Sequence, residues 1–78
     1  HADIRLFPNP AGNVLNISMG APMSGNIIIT DLLGNIIRNR ELRGENLIQL
    51  STDGLHSGVY FASIRFGKNL ITRKFIVE

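Results

Sequence analysis

The sequence has no cysteine, no tryptophan and a single tyrosine, and only 18% of its 78 residues are charged. Without cysteine, neither a disulfide framework nor a thiolate metal site is available, and cysteine usage says nothing about the redox compartment. A chain this short buries one small core, whose net contribution to stability is only a few kcal/mol. No apolar run approaches the roughly 18 residues of a membrane-spanning helix, so no stable membrane insertion is expected. No window of about ten residues carries helical periodicity. The opening His1-Ala2-Asp3 has neither an initiator methionine nor a signal-peptide pattern, and the chain reads as a piece of a longer precursor.

What is present is apolar and regularly punctuated. Hydrophobic residues make up 44% of the chain, enough to argue for a packed domain and against disorder. The formal charge of +2 comes from cations scattered at Arg5, Arg38, Arg40, Arg43, Arg65, Lys68, Arg73 and Lys74. A nucleic-acid binder clusters its cations with stacking aromatics, and this chain does not; no nucleic-acid partner is expected.

Turn residues recur at Pro8-Asn9-Pro10, Gly20-Ala21-Pro22, Gly34-Asn35, Gly44-Glu45, Asp53-Gly54 and Gly67-Lys68-Asn69. Short segments rich in Ile, Leu, Val and Phe lie between them, the pattern of a sandwich or barrel. Seven strands are predicted, over 3–7, 14–19, 26–31, 36–42, 46–50, 59–66 and 70–77. In the second, Leu15 and Ile17 share a face opposite Asn16 and Ser18. The third, with Ile27-Ile28-Ile29 apolar on both faces, suits a central position.

Two hairpins follow from turn chemistry. Gly34-Asn35 supplies the positive φ of a tight turn after Asp31. The last two strands turn around Gly67-Lys68-Asn69; an even-numbered loop pairing Phe66 with Ile71 puts Tyr60, Ala62, Ile64 and Phe66 on a face with Ile71, Phe75 and Val77. Ser63, Arg65, Thr72 and Lys74 then share the other face, and burial selects this register. Arg73 is left on the apolar face, where its stem can snorkel. Leu55, Gly58 and Tyr60 entering a strand match a tyrosine corner, so Tyr60 is expected to be buried with its hydroxyl bonded to backbone. The predicted fold is an all-β, seven-stranded antiparallel immunoglobulin-like β-sandwich forming one domain over 1–78.

No reaction chemistry emerges. His56 has no cysteine partner and no acid at metal-ligand spacing, and a solvated loop position explains it. The carboxylates form no calcium loop, although Asp31 and Asp53 suit turn capping. The serines lack a nucleophile elbow, and the glycines match no phosphate-binding pattern. The sequence predicts neither enzyme nor cofactor.

Three ordered segments resemble one family. Leu6-Phe7-Pro8-Asn9-Pro10-Ala11 with Val14-Leu15-Asn16-Ile17, then Asp31-Leu32-Leu33-Gly34-Asn35, then Leu55, Gly58, Val59 and Tyr60 with Lys74-Phe75-Ile76-Val77-Glu78, are similar to the type A C-terminal sorting domains of type IX (Por) secretion substrates. The resemblance implies an immunoglobulin-like export address on secreted or cell-surface cargo. That cargo crosses the periplasm and an outer-membrane translocon, and a sortase-like protease removes the tail at or before His1. The implied partners are translocon and sortase proteins.

Pro8, Asn9, Pro10, Gly34, Gly58 and Tyr60 carry the motif and have structural explanations: Pro8 and Pro10 suit a chain crossing between sheets or blunting an edge. The candidate receptor-binding residues are Arg65, Thr72 and Lys74, with Phe61 and Ile76 beside them and Lys68 in the final loop. An unpaired edge strand also allows weak pairing of two copies. The competing function is an adhesion or carbohydrate-binding module, which ordinarily displays exposed Trp or Tyr platforms; a third reading is a passive stabilising domain.

Overall fold

The computed structural model describes residues 3–78, so His1 lies outside the described part. Five strands, not seven, are present: β1 (Arg5–Phe7), β2 (Val14–Thr30), β3 (Ile36–Ser51), β4 (Gly58–Phe66) and β5 (Asn69–Val77). The difference is one of continuity. The second and third predicted strands are the two ends of β2, and the fourth and fifth are the two ends of β3. Gly20-Ala21-Pro22 and Gly44-Glu45 read locally as loops, but they face each other across the pair, with Met23 opposite Glu45. Both strands therefore bend together, and hydrogen bonding continues through irregularities between Ser18 and Ser24.

The bend folds one sheet into two layers. The first half of β2, Val14 to Ser18, runs between β1 and the second half of β3. The second half, Asn26 to Thr30, runs between the first half of β3 and β4, with β5 outside β4. Ile27-Ile28-Ile29 is central, as its apolar faces require. Alternate residues from both halves meet in one core: Leu15, Ile17 and Met19 from one layer, and Ile27, Ile29, Ala62, Ile64, Phe75 and Val77 from the other. Gly25 is fixed by a close approach, because a Cβ there would collide with the carbonyl oxygen of Arg65.

The final hairpin is tighter than predicted. Phe66 pairs with Asn69 and Ile64 with Ile71, leaving a two-residue Gly67-Lys68 loop. The register differs from the expected one by two residues, so the division of faces is unchanged. Arg73 shares the core face opposite Ala62 yet is exposed, because β5 is the outer strand of its layer.

Candidate receptor-binding face

The outward face of β4 and β5 is assembled by register. Phe61 lies opposite Lys74, Ser63 opposite Thr72, Arg65 opposite Leu70, and Val59 opposite Ile76. The Ser63 and Thr72 hydroxyls are 3.1 Å apart and hydrogen-bonded. β2 extends the face with Ile28 beside Ser63 and Thr30 beside Phe61. Arg65, Thr72, Lys74 and Ile76 are exposed and Phe61 is half-buried, while Lys68 stands at the hairpin tip.

The charge on this hairpin is one-sided, a feature that the scattered positions of the cations along the chain conceal. Residues 58–77 contain Arg65, Lys68, Arg73 and Lys74 and no Asp or Glu. The remaining four cations are outnumbered by all six carboxylates. Among the described residues, the ion pairs join Asp3 to Arg5, Glu45 to Arg40 and Glu41 to Arg43, none of them on this hairpin. Leu70, 58% exposed, belongs to the same strand and was not among the predicted contact residues. The acid-free stretch is the signal that would have drawn attention to Leu70 and Arg73.

The motif residues are elsewhere, and their surroundings show what they do for the fold. Pro8, Asn9 and Pro10 run alongside the end of β5. The Ile76 N–H donates to Asn9 Oδ1 at 3.0 Å, and the Ala11 N–H donates to the Ile76 carbonyl at 2.7 Å. Ala11, fully buried, makes a parallel bridge to Val77. The Pro8–Ala11 segment thus blunts the far end of an edge strand. Gly58 opens β4 opposite Val77. Tyr60 is buried, stacks on Phe75 with ring centroids 5.8 Å apart, and donates its hydroxyl to the His56 carbonyl at 2.7 Å, the arrangement expected of a tyrosine corner.

Gly34, at φ +85°, closes the β2–β3 turn. There Asp31 Oδ1 accepts the Leu33 and Asn35 N–H groups, each at 2.9 Å, and Oδ2 accepts the Asn35 side-chain amide at 3.0 Å. The Asn35 amide, then the backbone donors, hold the Asp31 carboxyl below the ordinary aspartate range, against desolvation pushing the other way. At the opposite bend, the Arg43 N–H at 2.7 Å and the Arg40 guanidinium do the same for Glu45.

Among the described residues, no group of three or more His, Cys, Asp or Glu side chains is placed to hold a metal ion. His56 is exposed and contributes its backbone carbonyl to the tyrosine corner.

A family model described as a secretion system C-terminal sorting domain matches residues 5–78, nearly the whole chain. The chain belongs to this family of sorting domains. Its sequence is 34% identical over 79 residues to an endo-acting ulvan lyase of Formosa agariphila, covering 99% of the sorting domain and 15% of the lyase. The chain therefore spans about a seventh of the length of that relative. The fold is similar to that of a DUF3244 family protein from Bacteroides vulgatus with an immunoglobulin-like β-sandwich, at a TM-score of 0.76 and 20% identity, over 100% of this chain and 95% of that one. The immunoglobulin-like class predicted from the sequence holds with five strands.

Domains of this family are the C-terminal signals for type IX secretion, carried by proteins exported to the cell surface or the extracellular space. A sorting signal acts by being recognised and is not itself a catalyst.

Proposed function

We propose that the cationic outer face of the β4–β5 hairpin is the surface through which the type IX translocon reads this sorting domain, and that a sortase-like protease removes the domain once the cargo has crossed. The domain itself carries out no reaction. The observation that carries this reading is the grouping of Arg65, Lys68 and Lys74 with Phe61, Leu70 and Ile76, Arg65 opposite Leu70 and Lys74 opposite Phe61, on a hairpin without a single Asp or Glu. Cations next to exposed apolar side chains make effective interface anchors, and a one-signed field also speeds encounter with an acidic receptor. The alternative of a sugar-binding module has less support, because the only tyrosine is buried in the core. Weak pairing of two copies belongs to the same reading through the β1 edge, where Asp3 neutralises Arg5, rather than through β5, whose cations repel a second β5.

The test is a signal-peptide-bearing reporter fused to this domain in a host that has the export machinery. Deleting Leu70 to Glu78 takes Phe75 and Val77 out of the core, so that deletion disturbs folding as well as recognition. The double charge reversal Arg65→Glu, Lys74→Glu leaves the core intact. It should trap the reporter in the periplasm while the purified domain melts like the parent. Secretion at the parental level by that variant would dismiss the cationic face as the recognition surface.

A further inference from the structure

The outer backbone edge of β5 is partly capped and partly open. Ile76 directs both its N–H and its carbonyl away from β4, to Asn9 and Ala11. Main-chain groups in a strand alternate sides with a period of two, so those of Thr72 and Lys74 also point away from β4. Among the described residues no other strand pairs with them: β5 has β4 as its one strand neighbour, the Pro8–Ala11 cap stops at Ile76, and the one contact is from the exposed Arg73 guanidinium, which donates to the Thr72 carbonyl at 3.3 Å. An open edge of about five residues, 70–74, is left.

Two features along this edge define what fits it. At its start, Pro22, Met23, Phe66, Leu70 and Ile71 line an open, mainly apolar cleft of about 740 Å³ between the β2 bend and the hairpin tip. At its end, Arg73 on the core face and Lys74 on the outer face are both exposed and without an acidic partner among the described residues. A strand laid antiparallel along β5 would bring its first residues to Arg73 and Lys74 and its last residues to the cleft.

The geometry points to β-strand addition at this edge: an extended segment of a partner protein, acidic in its first half and aliphatic in its second, completes the sheet beside residues 70–74. Backbone hydrogen bonds supply affinity, and the cleft and the two cations supply direction and register. A second copy of this chain is a poor occupant, because it would set cation against cation. The inference deepens the export reading, on which it rests for the identity of the partner as export machinery, by naming how the hairpin is held.

Proline tests the edge directly. Thr72→Pro deletes an outward N–H while leaving the β4–β5 ladder its donors, a substitution edge strands tolerate. Thr72→Val removes the hydroxyl and keeps the N–H. Both are compared by melting temperature, by reporter location, and by amide exchange of the purified domain with a synthetic heptapeptide having acidic residues first and Val and Ile last. With that peptide at about ten times its Kd, exchange of the Thr72 and Lys74 amides should slow about tenfold, and a lysine-for-acid version of the peptide should have no effect. A Thr72→Pro reporter that folds should stay in the periplasm while the Thr72→Val reporter is secreted. If both are secreted equally, strand addition is wrong and the export reading stands. If even the unaltered reporter is retained, the export reading fails, and the exchange measurement alone decides the edge. Unchanged exchange, or self-association that Thr72→Pro abolishes without any peptide effect, overturns the proposal.

Discussion

Asn9 and Ile76, separated by 67 residues, meet through one hydrogen bond, from the Ile76 N–H to Asn9 Oδ1 at 3.0 Å. Together with the Ala11 N–H on the Ile76 carbonyl and the Glu78 N–H on the Ala11 carbonyl, this bond ties the entry of the sorting domain to its final strand. The conformation of the terminal hairpin therefore depends on residues at the other end of the sequence, and the outer edge of the strand that carries the candidate contacts is capped at one end only.

Asn9→Ala removes the side-chain acceptor. The bond lies at an exposed edge, where water replaces the lost partner, so the expected cost is about 0.5–1 kcal/mol. Urea unfolding measures this, and amide exchange at Ile76 should rise selectively. Asn9→Asp keeps an acceptor oxygen and should recover much of the loss; equal damage from both variants would show that the Oδ1 contact is not what holds the strand.

Tyr60 divides its contribution between a buried ring on Phe75 and a hydroxyl on the His56 carbonyl. Tyr60→Phe keeps the ring and should cost about 1 kcal/mol, a drop of roughly 4–8 °C in Tm for a domain of this size. Tyr60→Ala also opens a cavity and should cost about 3–5 kcal/mol, enough to unfold so small a domain. A Phe variant as damaged as the Ala variant would contradict this division. Calorimetry distinguishes the two.

The Asp31 carboxyl is held below its ordinary range in the folded state, so the unfolded chain binds its proton at higher pH than the folded one. Its contribution to stability is complete above the unfolded value near 3.9 and is lost as pH falls through the lower folded value. Asp31→Ala should destabilise the domain at neutral pH and flatten the decline in stability below about pH 4, leaving the share due to Glu45. Parallel pH–stability curves for parent and variant would count against the turn network as the cause.

Much of the fold is legible because its determinants are local. Alternation placed Leu15 and Ile17 inward, the Leu55, Gly58 and Tyr60 spacing announced a tyrosine corner, and Asp31 with Gly34 announced a hairpin. The parity of the last loop separated Tyr60, Ala62 and Ile64 from Ser63 and Arg65 even though the loop is two residues shorter than supposed. The strand count was not legible. Gly20-Ala21-Pro22 and Gly44-Glu45 look like loops one at a time and become bends only because each keeps the other hydrogen-bonded. The shared face of Arg65, Thr72 and Lys74 follows from register, whereas the open edge at Thr72 depends on where the Asn9 cap stops.

The amino-acid sequence by itself determined the class of fold, the faces of each strand and the family, since periodicity, turn residues and ordered motifs act over a few positions. Only the tertiary structure decided that paired bends carry β2 and β3 through both layers, and that a segment near the start seals one end of the last strand. Those outcomes depend on contacts between distant residues, and no local window contains them.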